Sequence, residues 1–238
     1  MTPLVFALAA ALGNVVGALA VVRHERRSLR FIEACLAFGA GFMLAVTLLG
    51  VLPEVLPGSA SAPAFVLAGY LAVHLAQHVL TSHFHFGEET HRVSRAAGVS
   101  ALLGLSLHTF FDGVAIASGF LVSGRLGVLL FLAVLLHKLP EGVTIASLVV
   151  AGGQGRRQAL GAAAVLGLAT VLGVLLTEQV APLAQHGLAL SAGVTLYVAA
   201  SDLVPEFQGK RGGLAAAAFF GGALAFFLVD RVLEGLVR

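Results

Sequence analysis

The sequence predicts an all-α membrane protein, eight transmembrane helices in one domain over residues 1–238, and three observations carry that reading. Of the 238 residues, 58% are apolar and 11% charged, against about 25% charged in an ordinary soluble domain. Mean hydropathy is +0.98, and 14 Lys and Arg with 12 Asp and Glu are too few to clothe 24.3 kDa in a water-facing surface. The apolar residues also fall in stretches of about 20, the length a helix needs to cross about 30 Å of hydrocarbon.

Taken in order, residues 3–22 carry no Asp, Glu, Lys or Arg. They follow no basic segment and are too long for a signal-peptide core, so they read as a retained helix. Residues 34–53 and 63–82 are likewise free of charge; then comes the longest polar stretch, Ser82 to Arg95, 14 residues and too short for a second domain. Residues 96–120 and 126–151 are equally apolar except for Asp112, Lys138 and Glu141 near their centres. Three uncharged stretches, 159–177, 183–201 and 212–229, complete the eight. Runs such as GAGF at 39–42 and FFGG at 219–222, among 29 glycines, predict helices in close approach.

Orientation follows from the basic residues of short loops. Ten of the 14 Lys and Arg lie after the first, third, fifth and seventh stretches: Arg23, Arg26, Arg27, Arg30, Arg92, Arg95, Arg156, Arg157, Lys210 and Arg211. Those loops are expected in the cytoplasm and both termini outside. A net charge of +2 gives no basis for nucleic-acid binding, and the single Cys35 excludes an intrachain disulfide or a CxxC motif.

The functional signal lies in the fourth and fifth helices. HTFFDGVAIAS from His108 and HKLPEGVTIAS from His137 match at six of eleven positions, 29 residues apart, with Asp112 replaced by Glu141. Residues i and i+4 share a helical face, so His108 adjoins Asp112 and His137 adjoins Glu141. Each motif begins about a dozen residues into its helix, near the bilayer midplane at about 1.5 Å per residue. Consecutive helices run in opposite directions, which makes the repeated motif an inverted one. An acid at that depth costs about 2.5–3.5 kcal/mol on insertion scales and marks a functional site unless it is neutralised. Two readings stand: a structural ion pair in which Lys138 neutralises Glu141, or a divalent cation held by imidazole nitrogen and carboxylate oxygen. The duplicated histidine favours the second. Pro140 removes a donor and frees the carbonyl of Leu136, either to face a cavity or as a plain kink.

With these motifs the chain resembles the ZIP (Zrt/Irt-like) family of metal transporters, prokaryotic type; weaker agreement appears in GFMLA at 41–45 and LYVAASDLVPE at 196–206. The resemblance implies an inverted arrangement of three, two and three helices and alternating access by an elevator-like slide of one helix bundle against another. It implies a primary metal site of His108, Asp112, His137 and Glu141. Met43 matches a methionine that supplies a thioether in some members, and is equally read as core filler. Thr109, Lys138 and Thr170 stand where members with two metals carry ligands, so a one-metal centre is expected, the Lys138 ammonium taking the second ion's place. His74 and His78, with Asp202 and Glu206 towards the cytoplasm, form a candidate exit path. The cargo expected is Zn²⁺, with Cd²⁺, Fe²⁺ and Mn²⁺ sharing its N/O ligand preferences, imported across a bacterial inner membrane. The metal is cargo, not cofactor. The partners expected are the metal ion and the lipid bilayer, with a homodimer as an open alternative to a monomer.

Two other classes use the same residues. A membrane-embedded zinc hydrolase needs an open metal position and a separate acid or base, and the HExxH pattern is missing. A haem carrier with axial His108 and His137 leaves both acids unexplained. No enzyme is expected.

Overall fold

A computed structural model describes residues 2–23, 29–77, 95–207 and 213–236, and every regular element in them is helical. In chain order these are α1 (Pro3–Arg23), α2 (Leu29–Ala45), α3 (Leu52–Gly58), α4 (Ala62–Leu75), α5 (Arg95–Val122), α6 (Gly124–Ala151), α7 (Arg156–Thr177), α8 (Ala181–Tyr197), α9 (Val204–Phe207) and α10 (Gly213–Leu236). The segments Val46–Val51 and Val198–Leu203 are π-helical and join α2 to α3 and α8 to α9 without a break. Among the described residues seven helices are long and apolar enough to cross a membrane. The span expected at 63–82 is represented by the apolar α4, 14 residues long; residues 78–82, His78 included, lie outside the described residues.

Most helices run past their expected ends, furthest in α10, which continues beyond the expected 229 to Leu236, while 34–53 becomes a continuous path to Gly58. A charge-free window marks what suits hydrocarbon, whereas backbone bonding continues until a cap or breaker stops it. For α6 the cap is Ser123, whose Oγ accepts from the Leu126 amide at 3.1 Å. After its last turn Gly153 takes φ +76°, a region glycine enters without the Cβ penalty. Both of these π-helical segments are followed by a residue, a proline and a glutamate: Leu52-Pro53-Glu54 and Val204-Pro205-Glu206. Proline lacks an amide proton and crowds the carbonyl four residues back, and the wider π turn takes up the displaced backbone.

Packing sorts the long helices into two sets. Helices α1, α5, α6 and α7 pack on one another; α2 pairs with α10 and α4 with α8; contacts of α5 with α8 and of α2 with α6 join the sets. Four of these pairings cross at reciprocal glycines. A Cβ on Gly17 would fall on the Leu139 carbonyl and one on Gly142 on that of Asn14; Gly173 and Gly113 stand in the same relation to Phe110 and Thr170. In the other set Gly41 and Gly222 face Phe219 and Phe38, and Gly193 and Gly69 face Val66 and Leu190. Only glycine lets the backbones approach this closely.

These crossings repeat at constant intervals. Asn14 and Gly17 of α1 correspond to Thr170 and Gly173 of α7, 156 residues on, while Leu139 and Gly142 of α6 correspond to Phe110 and Gly113 of α5, 29 residues back. Phe38 and Gly41 correspond to Leu190 and Gly193 at an interval of 152, and the same interval carries Val46–Val51 onto Val198–Leu203. The 29-residue spacing of the two histidine motifs is thus also the spacing of the helix crossings. Large apolar side chains without a partner, among them Leu12 and Val16 of α1, Leu168 and Leu172 of α7 and Leu224 and Leu228 of α10, line the outside, where a bilayer covers them.

Candidate metal centre

The crossing of α5 with α6 brings the two motifs together in the interior. His108, Thr109, Asp112, His137, Lys138 and Glu141 are all at most 6% exposed. One ligand atom each from His108, Asp112 and His137 lies within 4.8 Å of the others. Both imidazoles direct Nε2 at one carboxylate oxygen, Asp112 Oδ2, at 3.4 Å from His108 and 3.2 Å from His137. The ring centroids of the histidines are 5.3 Å apart.

The tautomer of His137 is fixed by its own helix. Its Nδ1 is 2.8 Å from the Ala133 carbonyl, which only accepts, so Nδ1 carries the proton and donates. In the neutral ring Nε2 then presents a lone pair to a carboxylate oxygen. Two acceptors face each other at hydrogen-bond distance, an arrangement a cation between them stabilises. His108 Nδ1 and Glu141 Oε1 are buried and make no hydrogen bond, so the cluster has spare donor or ligand capacity on each side.

Lys138 occupies the other flank. Its Nζ donates to Asp112 Oδ2 at 2.6 Å and to Glu141 Oε2 at 2.8 Å. With both histidines neutral, two carboxylates and one ammonium leave a net charge of −1. A divalent ion brings this to +1, so Lys138 weakens cation binding relative to an uncompensated acid pair. The Thr109 hydroxyl donates to the carbonyls of Leu105 and Ser106 at 3.0 and 3.1 Å, and that of Thr170 reaches back to Leu166 at 3.4 Å. Both are turned into their own helices. Met43 is buried in an apolar cluster with Leu129 and Ala133, its carbonyl accepting from Thr47 at 2.8 Å. The carbonyl of Leu136, expected either to face a cavity or to mark a kink, lies against Gly39 of α2, 3.7 Å from where a Cβ there would stand. Pro140 sits inside an unbroken α6.

A cavity of about 30 Å³, room enough for water, is lined by His108, His137 and Glu141 together with Gln77 and Asp202. Gln77 Nε2 donates to Asp202 Oδ2 at 2.7 Å. Asp202 therefore lines the same cavity as the cluster. The His74 ring sits edge-on to Tyr197 with centroids 5.7 Å apart. Glu206 falls in α9 and its side chain, like all of His78, lies outside the described residues.

Two residues escaped the sequence reading. Gln77 had a faint signal, a lone amide three residues after His74 in an apolar helix. Asn14 is wholly buried with neither amide atom bonded, at the α1–α6 crossing beside Gly142. Its counterpart in the repeat is Thr170.

The family model described as ZIP Zinc transporter matches residues 88–230, a range that contains both histidine motifs. The chain belongs to the ZIP family. As a ZIP protein it is also 30% identical over 224 residues to the Zinc transporter ZupT of Shigella dysenteriae serotype 1 (strain Sd197), a match covering 85% of each chain. Membership in a transporter family argues against the hydrolase and the haem carrier.

Proposed function

We propose that this ZIP protein carries divalent metal cations, zinc foremost, across a bacterial inner membrane into the cytoplasm. The observation that carries the reading is the convergence of His108 Nε2 and His137 Nε2 on one buried oxygen of Asp112. One ion is held there by His108, Asp112, His137 and Glu141, with Met43 a further ligand as the helices move, and Lys138 stands in for a second ion. The family model and the likeness to a zinc transporter support the cargo.

Direction rests on the loops. The basic residues favour a cytoplasmic position for the end at which Gln77 and Asp202 join the cavity, with both termini outside. Cargo leaves past Glu141 and Asp202, with His74, His78 and Glu206 beyond. The paired intervals of the crossings support an inverted repeat of helices around α5 and α6. The division of the packing supports a slide of α1, α5, α6 and α7 against α2, α4, α8 and α10.

The test is uptake of a panel of metals into liposomes holding the purified protein, with internal pH recorded in parallel. Saturable Zn²⁺ entry that Cd²⁺ inhibits is expected. Absence of flux for every metal, from protein that remains folded, overturns the reading.

A further inference from the structure

A second cavity lies at the opposite end of the helices. It measures about 110 Å³ and is lined by Gly50, Glu54, Arg125, Leu129, Phe226 and Asp230 among others. The intervals of the repeat relate it to the first. Gly50 corresponds to Asp202, 152 residues on, and Asp230 to Gln77, 153 residues back; the first of each pair lines the second cavity and the other lines the first. The cavity near Arg125 is thus the counterpart of the one that reaches the histidines, yet it stops short of them. Leu126, Leu129 and Phe226 fill the way inward, in the same buried cluster as Met43 and Ala133.

Across its mouth, Arg125 of α6 binds α10. Its Nε is 2.8 Å from Asp230 Oδ1, its Nη2 is 2.5 Å from Asp230 Oδ2, and its Nη1 is 3.0 Å from Glu234 Oε1. Asp230 and Glu234 share one face of α10 at i and i+4, which gives the planar guanidinium two receptors at once. The pair joins the two packing sets, since α6 belongs to one and α10 to the other. Twelve residues separate Arg125 from His137 along a single helix, about 18 Å. Movement of Arg125 relative to α10 therefore moves the metal centre as well.

We propose that the ion pairs of Arg125 with Asp230 and Glu234 are the latch that keeps this second vestibule shut from the metal centre, and that this face opens when α6 leaves α10. The proposal rests on the transport reading above. While the latch is closed, the apolar side chains beneath it stay packed and the centre communicates with the Asp202 side. Once it breaks, the repeat relation provides a matching route from the Asp230 side, so the centre is reached from one face at a time.

The experiment uses the full chain in nanodiscs, with Cys35→Ser removing the native thiol and Leu129→Cys as reporter inside the second vestibule. A water-soluble maleimide labels it. In the latched protein labelling is slow. Arg125→Gln is expected to speed it about tenfold, and to slow a Val198→Cys reporter in the first cavity by shifting the population. Should Arg125→Gln not fold, Asp230→Asn with Glu234→Gln breaks the same contacts from the other side and carries the test. Unchanged Leu129→Cys labelling in both variants overturns the latch. Zn²⁺ flux by the unmodified protein is scored separately: no flux overturns the transport reading, whereas flux with unchanged labelling overturns the latch alone.

Discussion

Lys138 Nζ lies 2.6 Å from the Asp112 oxygen that both histidines face. Asp112 is thus the hinge of the site, shared between the ammonium and the imidazoles. Its conservative variant Asp112→Asn keeps the shape, removes the anionic ligand and leaves Lys138 with Glu141 alone. Removing a charge from a metal site costs more than removing an outer-shell partner, which is worth about 10–100-fold. Saturable Zn²⁺ uptake is expected to fall by about 100-fold or more, with Glu141→Gln in the same direction and both proteins eluting as folded. Near-normal uptake by either excludes the assignment.

Imidazole nitrogen coordinates metal only in the deprotonated state. His137 has already committed Nδ1–H to Ala133, so a proton on Nε2 competes directly with the ion. Protons and the ion compete for the same ligand atoms, so binding weakens as acid is added and recovers as it is removed. Zn²⁺ affinity at pH 5 is expected well below that at pH 7.5, by up to about tenfold per pH unit for each proton displaced. Equal affinity by calorimetry at the two pH values counts against histidine ligation.

The glycine crossings make a prediction about stability. A Cβ on Gly142 falls on the Asn14 carbonyl, whereas one on Gly161, also in the first helix set, meets nothing within 4 Å. Forcing backbones apart in a packed interior costs about 1–3 kcal/mol, while alanine for an open helical glycine gains up to about 1 kcal/mol. Gly142→Ala is expected to lower the unfolding temperature in detergent and Gly161→Ala to leave it level or raise it. Thermal unfolding of both in one micelle decides, and equal shifts refute the crossing.

How much of this was legible in the sequence depends on whether the determinant is local. His108 with Asp112, and His137 with Glu141, are one helical turn apart, so their faces follow from the helix period. That both motifs point at one spot follows from their 29-residue repeat. The helix ends were blurred because charge-free windows locate hydrocarbon, not caps such as Ser123. The π-helical segments left only Pro53 and Pro205 as traces. Contacts between distant elements left none: Arg125 and Asp230 are 105 residues apart and Gln77 and Asp202 are 125, each an ordinary polar residue near a helix end.

The charge on Lys138 gives the most discriminating prediction. A divalent ion beside its ammonium feels a repulsion that Asp112 and Glu141 offset, so the unmodified protein is expected to bind one ion. Lys138→Met removes the repulsion and leaves two carboxylates without a counterion. The metal-free protein loses stability, because like charges in a buried site disfavour each other, while Zn²⁺ affinity rises by about tenfold or more. Lys138→Asp goes further and supplies an oxygen ligand beside Glu141, which then bridges two metals. The second ion is weakly held, since the Thr109 and Thr170 hydroxyls are bonded to their own helices and offer poor ligands. Elemental analysis is expected to count one ion per chain in the parent and in Lys138→Met, rising towards two in Lys138→Asp only at high metal. A purely structural ion pair predicts the same loss of stability in both variants but no gain in affinity or bound metal in either. Two ions in the parent refute the one-metal centre directly.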